Sequence, residues 1–479
     1  MSLAATDPDR VTTTTIGGMA LVLAVGVLFV ALARRLRQPA VLGEIAAGIC
    51  LGPSLLGLLP GELPEHVFPG ALRGHLSVVA HLALVLFMFV VGWEFDLRTL
   101  RGRGRSTGFV WLSAAALPLS LGLGLAGLLF GTYGTVAGRR LDFVDFALFL
   151  GTAMSIAAFP VLARIIRDSG LHHTGLGTQA LALAALDDLL AWCLLAVVTA
   201  LATASGARNC YEVLGWGALF VAVMLAVVRP CLARLARLAP RARRHLAPLA
   251  AAGALGSAYL TSEIGLHPVF GAFVFGLAMP RHIEAELLHR LARTPLEQTG
   301  RLLLPVFFVV TGLSVDLTSL SGTGALYLLL IVATACLGKL GGVLLAARLS
   351  GLGWHESATL GVLMNTRGLT ELVILDIGRQ LGLLETELFT ALVMMALVTT
   401  ALTAPLLTVL LRRWRPGSGE FGPQEAGPQE AGTAEAAGGQ VAAAAVEAVA
   451  AAAPVDSVEP VAGEAEQRGR STHGVRLDR

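Results

Sequence analysis

The sequence predicts an all-α polytopic membrane protein of about thirteen transmembrane helices. Three observations point there. Hydrophobic residues make up 55% of the 479 residues and charged residues only 14%, with a mean hydropathy of +0.73, a balance foreign to soluble domains. Apolar runs near the length of about 20 residues needed to cross a bilayer recur along the chain. The arginines between those runs alternate in density, as they do when one set of loops stays in the cytoplasm.

In order, the runs lie at 15–34, 40–59, 76–95, 108–131, 143–166, 176–203, 211–234, 246–264, 266–280, 301–318, 323–349, 356–380 and 387–411. The first lacks a basic leader and a small-residue cleavage site, so it is expected to remain as a helix. The ninth is short, as a tilted or partial helix would be. With thirteen crossings, the loops of one side carry about 23 arginines and those of the other about 6, which sets the orientation. Residues 1–14 form a short segment outside, 15–412 the membrane domain, and 413–479 a cytoplasmic tail.

That tail is rich in Ala, Gly, Glu and Pro, repeats "GPQEA", and is expected to be disordered. No G-x-G-x-x-G after a strand pattern marks a nucleotide-binding regulatory domain in it. Net charge is +2 and the five cysteines are scattered without a CxxC; neither a nucleic-acid partner nor a metal site or cofactor is expected. Arginine outnumbers lysine overwhelmingly, which points to a GC-rich bacterial source.

Ionisable groups inside spans are functional by default. The sixth span reads "LALAALDDLLAWCLLAVV" and places Asp187 and Asp188 near its centre. Adjacent helical residues point about 100° apart, so one carboxylate can face a cavity and the other a partner helix. Two like charges this close cannot both ionise cheaply without a cation between them. Such a pair suits exchange of a hard cation for protons, or else a structural salt bridge. The eleventh span holds Lys339, the single lysine of the chain, within "CLGKLGG". Too far from either interface to snorkel easily, it needs a carboxylate, and its glycines permit close helix approach.

Two spans carry helix breakers. The fifth contains "GTAMSIAAFPVLARII", with Thr152, Ser155 and Pro160; the proline leaves a carbonyl one turn earlier without its donor. The twelfth contains "LMNTRGLTELVILDIG", where Asn365, Thr366, Arg367, Gly368, Thr370 and Glu371 crowd within seven residues. Backbone this polar belongs in protein or at a cavity, not against lipid. Arg367 and Glu371, four apart, can pair on one face; a buried lock between helices and direct ion contact both remain open for them. The broken spans hold the middle place in two three-helix groups that enter from opposite sides, the arrangement of inverted repeats around a transport site.

Together these stretches resemble a known family. With "RQPAVLGEIAAGICLGPSLLG", "LVLFMFVVGWEFDL", "HPVFGAFVFGLAMP" and "LLLPVFFVVTGLSVDL" they stand in an order similar to the monovalent cation:proton antiporters of the second antiporter family. That group holds bacterial Kef-type and Na+/H+ antiporters and plant cation/H+ exchangers. The resemblance covers about residues 20–412. It implies a core domain with two crossed, broken helices, a dimerisation domain, homodimers in the cell membrane, and alternating access by an elevator-like movement. It implies exchange of Na+ or K+ for H+, with membrane lipid as the other surrounding partner. Asp188 resembles the cation- and proton-binding carboxylate, Asp187 its neighbour, and Lys339 the lysine that pairs with that neighbour in electrogenic members. Thr152 and Ser155 fall near the first break, Asn365 and Thr366 near the second. Plant-type exchangers usually carry Asn-Asp where this chain has Asp187-Asp188, so the expectation leans to electrogenic exchange. A cation channel or uniporter without proton coupling is the alternative.

Overall fold

Helices account for nearly all of the described chain. The structure is a computed structural model that describes residues 8–60, 66–94, 105–171, 174–203, 207–238, 246–280 and 293–413. The predicted tail from 414 onward, and loop arginines such as Arg98, Arg101 and Arg103, lie outside the described residues.

The first helices are α1 (Pro8–Arg35), α2 (Ala40–Leu51), α3 (Gly70–Glu94) and α4 (Arg105–Tyr133). Helix α1 begins within the stretch read as a short leading segment, so the first span is longer than its apolar run. The next run is split into α5 (Phe143–Ser155) and α6 (Phe159–Asp168). Then come α7 (Gly175–Thr203), α8 (Ala207–Val223) and α9 (Arg229–Leu238), the last two joined by a π turn at Met224–Val228. Helices α10 (Leu246–Ile264), α11 (Pro268–Ala278) and α12 (Thr294–Leu313) follow. Helix α13 (Gly322–Cys336) runs through a π turn, Leu337–Gly341, into α14 (Gly342–Leu349). The second split run is α15 (Trp354–Met364) and α16 (Leu369–Gln380), and α17 (Thr386–Arg413) closes the order.

Among the described residues, ten helical stretches are long and apolar enough to cross a membrane. Three further predicted runs take other forms. Run 246–264 coincides with α10, run 266–280 is the short α11, and run 356–380 is the α15–α16 pair. Strand among the described residues is confined to a small hairpin, Thr135–Val136 against Arg139–Arg140. Its turn residues, Ala137 and Gly138, both have positive φ, the geometry that matches the twist of paired strands.

The strongest packing falls into two groups. Helix α3 lies against α11 and α12, α12 against α2, α2 against α1, and α10 against α11. Helix α4 lies against α5 and α14, α13 against α17, α14 against α15, and α7 against α5, α6 and α15. Where α3 meets α11, a side chain on Gly276 would run into the Phe89 carbonyl and one on Gly92 into that of Phe273. Small residues are the means by which helices approach where lipid offers no hydrophobic drive. The second group contains both split helices in the middle of a three-helix run: α4, α5–α6, α7 and α13–α14, α15–α16, α17.

Candidate functional site

The two breaks meet each other. Asp142 caps α5 by accepting a hydrogen bond from the Val144 amide at 2.7 Å. The helix stops at Ser155 because Pro160 offers no N–H to the Ile156 carbonyl and disfavours helical backbone before it. Ile156 and Ala158 are extended, and α6 restarts with Pro160 in its first turn, where no amide is missed. The second break has no proline. There Asn365 ends α15 and the chain passes through Gly368 into α16. The Ala158 amide donates to the Thr366 carbonyl at 3.0 Å, so one break bonds the other. A Cβ on Gly368 would come within 2.5 Å of the Val161 side chain and 3.2 Å of Ala158 Cβ. Only a bare backbone passes at this crossing.

Arg367 holds the crossing together. It is 1% exposed, and its guanidinium donates to the Ala153 and Met154 carbonyls at 2.7 and 2.8 Å and to Glu371 Oε1 at 2.9 Å. Ala153 and Met154 belong to the last turn of α5, whose carbonyls have lost their helical donors and carry the negative end of the dipole. Arg367 therefore caps the opposite half-helix. Its own backbone is clamped by Thr400, whose hydroxyl accepts from the Arg367 amide at 3.0 Å and donates to the Arg367 carbonyl at 2.7 Å. For Arg367 and Glu371 this bonding pattern is that of a buried lock.

Asp187, Asp188 and Lys339 are buried at 2%, 3% and 0% exposure. Lys339 Nζ donates to Asp187 Oδ2 at 2.5 Å and to the Ala114 carbonyl at 3.0 Å. The lysine sits on the π turn of the α13–α14 run, a local widening common at functional positions. Asp188, one residue on, turns toward the crossing. The Thr370 hydroxyl and the Phe159 amide lie beside its carboxylate. Phe159 opens α6 and Thr370 lies in the first turn of α16, so both offer the electropositive start of a half-helix to a carboxylate.

The remaining predicted residues lie on these two segments. Thr152 and Ser155 are buried in the last turn of α5, with the Thr152 hydroxyl donating to Leu148 O at 2.7 Å. Asn365 and Thr366 occupy the second break, and Asn365 Nδ2 lies 3.8 Å from Cys336 Sγ, at the end of α13. Asp187 Oδ1, Asp188 Oδ1, Asn365 Oδ1, Thr366 Oγ1 and Glu371 Oε2 are buried without a hydrogen-bond partner among the described residues. Oxygens in that condition are costly and are the donor type that hard monovalent cations take. The residues missed from sequence are Ala114, which contributes only a carbonyl, and Phe159, which contributes only an amide. Thr370 stood in the polar run of the twelfth span but without a role; its place just after the Gly368 break was the available signal.

The sequence model described as sodium/hydrogen exchanger, transmembrane, matches residues 20–413. Cation/H(+) antiporter 20 of Arabidopsis thaliana is 38% identical over 413 residues, covering 84% of this chain and 48% of that protein. The Na(+)/H(+) antiporter NhaS4 of Synechocystis sp. is 38% identical over 389 residues, covering 80% of this chain and 92% of that protein. K(+)/H(+) antiporter 1 of Saccharomyces cerevisiae is 34% identical over 385 residues, 78% of this chain and 43% of that protein. The chain thus spans about half the length of the plant and yeast relatives and nearly all of NhaS4. The solved sodium proton antiporter MjNhaP1 of Methanocaldococcus jannaschii has the same fold, with a TM-score of 0.57, 16% identity, and coverage of 84% of this chain and 99% of that one.

Proposed function

Since the chain belongs to the sodium/hydrogen exchanger family, a family of transporters rather than enzymes, we propose that it exchanges Na+ or K+ for H+ across a membrane by alternating access. The observation that carries the reading is the buried Lys339–Asp187 pair beside Asp188, whose Oδ1 has no partner among the described residues at the crossing of two half-helices. A mid-membrane carboxylate has no structural use without a counter-charge. Asp188 is left for a cargo that comes and goes.

In this mechanism Asp188 binds either a proton or a dehydrated cation. The α6 and α16 starts keep the carboxylate oriented through the Phe159 amide and the Thr370 hydroxyl. Oxygens of Asn365 and Thr366 at the break supply neutral donors, and Thr152 and Ser155 complete the lining from the α5 side. Lys339 neutralises Asp187 while the site lacks a cation and sheds its proton when one enters, so that one monovalent cation displaces a proton from Asp188 and another from Lys339. The exchange is then electrogenic. Cation and protons compete for one cluster, and coupling follows because the doubly charged, empty cluster is costly to carry through a low dielectric.

The remaining parts of the reading rest on the arginine bias and the family pattern. The protein works as a homodimer in the plasma membrane of a bacterium, with its N-terminus outside and its C-terminus in the cytoplasm. It serves pH and cation homeostasis. The group of α1–α3 and α10–α12 provides the scaffold, and the group bearing the broken helices is the moving core.

The test is exchange by purified full-length protein in proteoliposomes loaded with a pH-sensitive dye, with membrane potential clamped. Na+, K+, Li+ and Rb+ are added in turn across a pH series. A cation-driven dye response supports antiport; cation flux without it overturns antiport in favour of a uniporter.

A further inference from the structure

Helix α4 contains a proline in its interior, Pro118. In an α-helix the amide of residue 118 would donate to the carbonyl of residue 114. Proline has no such amide, and its ring collides with the carbonyl four residues earlier and turns it outward. The carbonyl so released is that of Ala114, and Lys339 Nζ donates to it at 3.0 Å across 225 residues of sequence. The lysine arrives on a π turn that lies directly on the proline: a Cβ on Gly338 would stand 2.8 Å from both Pro118 Cα and Pro118 Cβ. Pro118 and Ala114 are themselves buried.

We propose that Pro118 is a positioning residue for exchange, because its missing amide leaves the Ala114 carbonyl as a second, uncharged acceptor dedicated to the Lys339 ammonium. A buried ammonium has three donors. Asp187 takes one, and an acceptor that never titrates holds the lysine in place when Asp187 alone would set its position. The proton that Lys339 gives up is therefore held by a neutral group on α4 as well as by a carboxylate on α7. The charged and titratable groups facing Lys339 are Asp187 and Asp188 on α7 and Arg367 and Glu371 on the α15–α16 run; among the described residues none lies on α4. This inference rests on the role given to Lys339 above.

The experiment compares two replacements of Pro118 in full-length protein made with and without an expanded genetic code. Pro118→Ala restores an amide that competes for the Ala114 carbonyl. Lactic acid at position 118, the α-hydroxy analogue of alanine, removes the ring equally but places an ester oxygen where the amide would be. Exchange is read across pH in proteoliposomes, with thermal unfolding of both variants in detergent. Losing one hydrogen bond to a charged donor makes the ammonium harder to keep. Half-maximal exchange should therefore move to lower pH by about one unit in Pro118→Ala, a tenfold change in proton concentration. The ester variant should keep the wild-type profile. Equal shifts in both variants would show that ring shape alone matters and overturn the inference, as would two unshifted profiles. Absence of exchange in the wild type would instead overturn the antiport reading, and this inference with it.

Discussion

Replacing Lys339 with arginine keeps a positive charge opposite Asp187 but removes the capacity to release it. The lysine fits two acceptors, Asp187 Oδ2 at 2.5 Å and the Ala114 carbonyl at 3.0 Å, in a position with no solvent exposure. A guanidinium carries five donors and more volume. Overpacking costs about 1–3 kcal/mol and even one buried donor left unpaired about 1–3 kcal/mol, so a loss of at least roughly 2 kcal/mol is expected for Lys339→Arg. That should appear as a lower midpoint in thermal unfolding. The functional loss should be larger than misfolding explains. Arginine in its ordinary state holds its proton at least two pH units more tightly than lysine, about 100-fold or more in deprotonated fraction. Cation-driven proton movement should fall by at least that factor in proteoliposomes normalised for folded protein. A Lys339→Arg variant that exchanges at the wild-type rate, with the wild-type pH profile and voltage dependence, would refute a proton-releasing role for this position.

Asp188→Asn should abolish exchange while leaving the protein folded, because the amide is isosteric and removes only the ionisable group; retained dye responses to Na+ or K+ would contradict the assignment. Thr370→Val removes the hydroxyl facing Asp188 and should weaken apparent cation affinity several-fold with a smaller effect on maximal rate, read as a split between KM and turnover. Arg367→Ala strands the Ala153 and Met154 carbonyls and the Glu371 carboxylate together. A loss of about 3–5 kcal/mol is expected for breaking such a buried pair, and adding Glu371→Gln should recover part of the unfolding midpoint.

The break at Pro160 was legible because a missing amide is a local property, readable from one residue and its fourth predecessor. The break at 365–368 was legible for another reason: four consecutive residues without a large apolar side chain cannot face lipid. Asp187, Asp188 and Lys339 announced themselves as charges in apolar runs. The start of α1 at Pro8 was not legible, since the polar "VTTTT" stretch that follows it resembles a loop. Nor was the division of labour between Arg367 and Lys339. Both are buried cations, but one has its donors on main-chain carbonyls of α5 and the other reaches Asp187 152 residues away.

Apolar run length, arginine bias and helix breakers are local or summed properties of the chain, so the membrane fold and its charged positions follow from residue order alone. Which oxygen each charge meets depends on helix rotation and on crossings between segments more than 150 residues apart. Packing decides those. The Ala114 carbonyl shows the division: Pro118 frees it within a single helix turn, and only the approach of the Gly338–Lys339 turn gives it a partner.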